Sequence, residues 1–243
     1  MATLTTMRRH VVSPEGEGLA PPNGQPGHGT QVPTQALRTL RFTTENYHRL
    51  VDSGILGEDD RTELLDGEVF FKMPIDSRHA GCVNFLNRLL SRLLPQLLVT
   101  AQNPVRLGPS SEPEPDLAVL RSTPDDYRSA HPSPSDVFLL IEVANSSLSL
   151  DRDVKAPLYA AAGIPELWIV DLTGEAVEVF QDPDPAGFRR YRRHVRGETV
   201  TSGSLPNLSL TVDEILGPPT ADEAEASAAA ADDTVADASS SPV

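Results

Sequence analysis

Apolar residues recur along this chain in two periods, and their alternation predicts a mixed α/β domain. Thr43 or Thr44 can cap a short helix that carries Leu50 and Val51 and ends at Gly54. Leu64, Leu65, Val69, Phe70 and Phe71 flank Asp66-Gly67, a strong signal for a two-residue hairpin turn. Ser77 is the expected cap of a long helix whose Val83, Leu86, Leu89, Leu90, Leu93 and Leu94 repeat at helical spacing until Pro95. Strands are expected from Leu97 to Leu107, from Asp116 to Leu120 and from Val137 to Val143. The last of these is an unbroken apolar run up to Glu142, as in a strand buried on both faces. Asp151 to Ala162 reads as a helix stopped by Gly163. Glu166 to Asp171 and Ala176 to Phe180 pair across Thr173-Gly174, and Phe188 to His194 forms a final, basic strand. The expected fold is α/β, with a mixed central sheet flanked by helices and no internal repeats.

Both ends depart from this pattern. Residues 1–38 hold Pro14, Pro21, Pro22, Pro26 and Pro33 among glycines, without a hydrophobic period. Residues 218–243 are rich in alanine, serine and acids. Neither can bury enough apolar surface to offset its ordering entropy, so both are expected to be disordered around a domain at 39–217. The 243 residues carry 35 acids against 20 Lys plus Arg, a net charge of −15. Setting aside a tail of −6 and a leading segment of +1 leaves −10 on residues 39–217. That balance opposes a nucleic-acid partner unless a local basic patch offsets it. The single cysteine, Cys82, excludes a disulfide framework and a cysteine-rich zinc site. No apolar run approaches the ~20 residues that span a bilayer, and residues 1–10 lack the apolar core of a secretory signal. A soluble, cytoplasmic protein with no membrane partner is expected.

The acids carry the chemical signal. Asp116 opens a strand directly after Pro113 and Pro115, and Glu142 lies near the end of the most apolar strand. Carboxylates are seldom fully buried unless paired or bound to a metal. If the two strands are neighbours, both acids meet at one sheet edge, where the Val143 carbonyl adds a third hard donor suited to Mg²⁺ or Mn²⁺. The alternative is that Asp116 caps a turn and Glu142 pairs with an arginine. Lys155, one of only two lysines beside Lys72, lies on the following helix and can reach back to the acids. There it can orient a water or stabilise phosphoryl charge. Its simpler reading is a solvated partner of Asp151, four residues earlier.

Several stretches together resemble a known family. They are Glu63-Leu64-Leu65-Asp66-Gly67-Glu68-Val69, Pro115-Asp116-Leu117-Ala118-Val119, Phe138 to Ser147, Asp151 to Lys155 and Tyr159 to Asp171. In this order, across about residues 40–215, they are similar to the Uma-two family of restriction endonuclease-like proteins, a branch of the PD-(D/E)XK nuclease superfamily. The resemblance implies a restriction-endonuclease-like fold, an Mg²⁺- or Mn²⁺-dependent endonuclease activity and a nucleic-acid partner, DNA first. It also implies residue roles. Asp116 and Glu142 match the two metal-binding acids. The superfamily lysine two residues after the second acid is replaced here by Ala144, and Lys155 matches its migrated position. Glu63 matches an early acid that completes the metal shell, and His79 a histidine near the start of the long helix. Asp151 is expected to orient Lys155 or cap its helix.

Other signals point less far. No Gly-x-Ser-x-Gly elbow accompanies Ser146-Ser147, and the six histidines show no metal-ligand spacing. Trp168 and Tyr159 read as core residues. Arg189, Arg190, Arg192, Arg193 and Arg196 form the one basic stretch, readable as a phosphate track or as a guarded edge strand. The rival to a nuclease is a catalytically idle domain of the same fold that binds a protein partner. A carboxylate-pair glycosidase has only the two acids in its favour. A homodimer is compatible with cutting both strands of a duplex.

Overall fold

The computed structural model describes residues 39–57 and 59–217, and the disorder expected of residues 1–38 and 218–243 lies outside them. The described chain begins with α1 (Thr44–Asp52), the hairpin of β1 (Thr62–Leu65) and β2 (Glu68–Phe71), and the long α2 (Ser77–Leu93). Then come β3 (Leu97–Ala101), β4 (Leu117–Arg121), β5 (Val137–Ala144) and a helical segment. That segment comprises α3 (Leu148–Leu150), a π-helical turn (Asp151–Lys155) and α4 (Ala156–Ala161). Strands β6 (Glu166–Asp171), β7 (Ala176–Asp184), β8 (Gly187–Val195), β9 (Thr199–Thr201) and β10 (Ser209–Thr211) lead to α5 (Val212–Leu216). No described helix is long and apolar enough to cross a membrane.

The central sheet has six strands in the order β3-β4-β5-β6-β7-β8. Only β5 and β6 run parallel, as the intervening helix requires, and every other pair is antiparallel. The alternation along β5 explains its apolar run. Leu139, Ile141 and Val143 pack against Val83, Leu86 and Leu90 of α2, while Leu140 and Ala144 join Ala156, Tyr159 and Ile164 on the opposite face. Glu142 therefore points to the face covered by α4.

Local chemistry sets several boundaries. Thr43 caps α1, its hydroxyl accepting from the Asn46 amide at 3.2 Å. Asp66 and Gly67 take φ of 46° and 78°, the double left-handed geometry of the expected hairpin turn. Gly163, at φ 81°, ends α4. The Gly163 and Ile164 amides bond the carbonyls of Ala160 and Tyr159, and buried Ile164 joins Tyr159 in the core.

Three expectations change. The cap of α2 is Asp76, not Ser77: its carboxylate accepts from the His79 amide at 2.9 Å, and a negative group suits a helix N-terminus. The strand expected to run to Leu107 stops at Ala101, because Gln102 turns to φ 55° and sends its N–H to the Asp116 carbonyl. The basic strand, β8, is a sheet edge as one reading held, but it is not the last element. Val200 of β9, Leu210 of β10 and Val212 and Ile215 of α5 add buried side chains to the core on the α2 face.

Candidate active site

The acids and the lysine converge at one end of the sheet. Strands β4 and β5 are neighbours, with Leu117 opposite Ile141, so Asp116 just before β4 and Glu142 near the end of β5 share an edge. The Asp116 amide lies 3.4 Å from Glu142 Oε2, and the Val143 amide donates to Asp116 Oδ2 at 2.8 Å. His79, in the first turn of α2, brings Nε2 to 3.0 Å from the same Oδ2, and Gln102 Nε2 lies 3.3 Å from Oδ1. His79 Nδ1 is buried without a hydrogen-bond partner among the described residues.

Lys155 reaches the acids from the π turn. A proline cannot donate a helical N–H and its ring crowds the carbonyl four residues back, so Pro157 disfavours a regular turn over Asp153. The backbone instead widens, and the Ala156 amide bonds the Asp151 carbonyl five residues back. Asp151 and Lys155 are both buried there, and Lys155 is only 4% exposed. Its Nζ lies 3.1 Å from Glu63 Oε1, 3.3 Å from Glu142 Oε1 and 3.7 Å from Asp151 Oδ1. The solvated lysine of the simpler reading is thus excluded, and Glu142 pairs with a lysine rather than an arginine. Among the described residues no three acidic, histidine or cysteine side chains form a ready metal-ligating group; the ammonium stands among the acids.

The remaining partners complete the cluster. Hairpin β1–β2 is held to the domain by a bridge between Leu64 and Glu112, which delivers Glu63; its Oε2 accepts from the Glu114 amide at 3.2 Å. Ser147 Oγ donates to Asp151 Oδ2 at 2.6 Å. Tyr159, which sequence reasoning assigned to the core, is fully buried but also donates its hydroxyl to Glu142 Oε1 at 2.6 Å. Its place four residues after Lys155, on the same helical face, was the available signal. Lys72 also lines this pocket, its Nζ donating to the Glu114 carbonyl at 2.9 Å, so both lysines of the chain border one cavity of about 100 Å³.

The two central acids titrate in opposite directions. Burial and the charges of Asp151, Asp116 and Glu63 outweigh Lys155 and push Glu142 up to about 8. Burial would also raise Asp116, but the His79 hydrogen bond and charge prevail and hold it below the usual range. For His79, burial is outweighed by the bond and charge of Asp116, which raise it. Lys155 is raised because Glu142, Glu63 and Asp151 outweigh its desolvation. One acid lowered beside one raised is an arrangement suited to proton handling.

Known proteins agree with this architecture. The crystal structure of a putative nuclease belonging to DUF820 from Anabaena variabilis is similar, with a TM-score of 0.59 over 72% of this chain and 97% of that one. At 12% identity the likeness concerns the fold, and no curated protein matches the chain. The sequence profile of Uma2, described as putative restriction endonuclease, matches residues 44–213. That span takes in every element from α1 to β10 together with Glu63, His79, Asp116, Glu142 and Lys155, and the chain belongs to the Uma2 family.

Proposed function

We propose that this chain is a divalent-cation-dependent endonuclease acting on DNA. Asp116 and Glu142 are its metal ligands, and Lys155 orients the attacking water or stabilises the charge that grows on phosphate. The observation that carries this reading is how each acid is held. Glu142 is anchored through Oε1 by Tyr159 and Lys155, leaving Oε2 with one long 3.4 Å contact to the Asp116 amide. Asp116 is anchored through Oδ2 by Val143 and His79, leaving Oδ1 with one long 3.3 Å contact from Gln102. Each carboxylate thus keeps one oxygen weakly engaged. A strand residue sends its N–H and C=O to the same side, so the Val143 carbonyl belongs to the edge at which its amide meets Asp116.

This hard-oxygen set fits Mg²⁺ or Mn²⁺. The buried acids Glu63, Asp116, Glu142 and Asp151 outnumber the nearby cations Lys155 and His79, so a divalent ion would also relieve a surplus of negative charge. When bound, the ion would supply Lewis acidity and a more acidic water for in-line displacement at phosphorus. The protein's own residues do the rest. His79 orients Asp116, Tyr159 orients Glu142, and Glu63 and Asp151 hold the Lys155 ammonium in place. Both Glu63 oxygens are engaged, by Lys155 and the Glu114 amide, which supports a lysine-holding role more than a place in the metal shell. An idle interaction domain is disfavoured by the same cluster: buried ionic groups are often neutral or costly to stability compared with apolar residues.

Cleavage of supercoiled and linear DNA with and without Mg²⁺ or Mn²⁺, beside calorimetric titration of the metal alone, tests the reading. Asp116→Asn, Glu142→Gln and Lys155→Ala should each slow cleavage by about 10²-fold or more. The first two should retain the parent's circular dichroism and weaken metal binding. A Glu142→Gln protein that cuts as fast as the parent would overturn the assignment.

A further inference from the structure

The cavity that holds the acids has a second wall of different chemistry. Phe71, Met73, Pro74 and Ile75 line it beside Glu63, Asp116, Glu142 and Lys155. Phe71 is 67% exposed, Met73 70% and Ile75 36%, although they are large and apolar. The segment continues β2 beyond Phe71 toward α2. Lys72, between the first two, is held by the Glu114 carbonyl and carboxylate, while Phe71, Met73 and Ile75 stay exposed along the cavity. Apolar groups left in water beside a site generally mark a binding surface. One cation accompanies them. Arg61 lines the same cavity and sits across from Lys72, whose amide donates to the Arg61 carbonyl at 2.8 Å. Its guanidinium has no side-chain hydrogen bond or ion pair among the described residues, whereas Lys72 and Lys155 are both engaged by acids.

An intact duplex presents phosphates to its surroundings and requires several cations to hold them. This cavity offers buried acids and one uncommitted guanidinium, a poor match to that surface. Unpaired bases present apolar π faces, which stack on aromatic and apolar side chains whatever their sequence. We infer that the strip of Phe71, Met73 and Ile75 is a platform for unpaired bases, with Arg61 holding an adjoining phosphate. The site then prefers single-stranded or locally unpaired nucleic acid over intact duplex. As a statement about the substrate this deepens the nuclease reading and rests on it; as a statement about binding it can be measured separately.

Fluorescence anisotropy with labelled oligo-dT and a blunt duplex of equal length, in EDTA, reads binding without turnover. Oligo-dT should bind about tenfold or more tighter than the duplex. Phe71→Ala and Met73→Ala should each weaken oligo-dT binding by about tenfold, Phe71→Leu should restore little and Phe71→Trp most of it. Arg61→Ala should lower the salt slope of oligo-dT binding by about 0.7. With Mn²⁺, a bubble substrate should be cut faster than its fully paired counterpart, and Phe71→Ala should shrink that ratio. Equal binding of oligo-dT by the parent and Phe71→Ala overturns the platform, even if duplex cleavage shows that the nuclease reading holds. A concentration-dependent drop in apparent mass on Phe71→Ala, with oligo-dT binding unchanged, also overturns it and marks a contact between copies. Preference for oligo-dT that Phe71→Ala abolishes, without cleavage under any cation, leaves the platform standing and the nuclease reading overturned.

Discussion

Burial alone does not mark a functional acid; the company of the carboxylate does. Glu166 is as deeply buried as Glu142, yet it is satisfied by neutral donors. These are Trp168 Nε1 at 2.8 Å, Gln181 Nε2 at 2.9 Å, Ser202 Oγ at 2.7 Å and the Ser204 amide at 2.9 Å. It ties the segment after β9 to the sheet. Glu142 instead faces a lysine, a tyrosine hydroxyl and other acids, and burial with those acids pushes it up to about 8. An acid raised on folding stabilises the fold fully below its ordinary value of 4.5, and that contribution is lost as pH climbs through about 8. His79, also raised, adds a loss in the same direction above its ordinary 6.5. Asp116 is lowered, so its contribution is present above 3.8 and fades only at more acid pH, outside this window. In EDTA the Tm should therefore fall between pH about 5 and about 8, and Glu142→Gln should flatten much of that slope. A Glu142→Gln profile as steep as the parent's would show that Glu142 does not titrate there. Lysine scarcity drew attention to Lys155 and the family resemblance to Glu63, but Tyr159, read as core, was not expected to donate to Glu142.

At the level of elements, local chemistry was most legible where a turn demands a particular residue. Gly67 of the β1–β2 hairpin has φ 78°, and an added Cβ would stand 2.7 Å from Arg41 Cβ and 3.1 Å from the Phe42 carbonyl oxygen. Its amide also donates to the Ser110 carbonyl at 2.7 Å, fastening the hairpin that carries Glu63. Gly67→Ala should cost at least about 1–2 kcal/mol, from the left-handed backbone alone. Urea unfolding would measure it, and cleavage should fall as Glu63 loses its place; an unchanged midpoint would mean that the hairpin moves aside freely. The helix after β5 shows the opposite case. Its apolar spacing reads as a uniform helix from Asp151, because periodicity does not distinguish an α turn from one π turn. Pro157 was the local hint. Pro157→Ala should let the α-helix run through, withdraw Lys155 from Glu142 and lower cleavage by about tenfold or more, with a lower Tm as the buried acids lose their cation.

For the whole molecule, the acidic balance is a functional constraint. A domain of −10 repels duplex DNA at long range, so cation binding at Asp116 and Glu142 should aid association as well as chemistry. Duplex affinity at low salt should rise about tenfold when Ca²⁺ replaces EDTA, and Asp116→Asn should abolish the gain; an equal gain in that variant would place the cation elsewhere. The basic stretch offsets this charge only in part. On edge strand β8, Arg189 pairs with Asp184 and Arg190 with Asp182, while Arg192 and Arg193 have no acidic partner among the described residues. The sequence by itself determined the fold class, the hairpin turn, the doubly buried central strand and the Asp116, Glu142, Lys155, Glu63 and His79 candidates. The last two rest on the family resemblance; the others are consequences of backbone sterics, side-chain period and the cost of burying charge, all of which act within a few residues. Only the tertiary structure decided the strand order that sets Asp116 beside Glu142, the seating of the Lys155 ammonium among Glu63, Glu142 and Asp151, and the bond from the Tyr159 hydroxyl to Glu142. Most of these contacts join residues distant in the chain, and they depend on how sheet and helices pack, which no local pattern encodes.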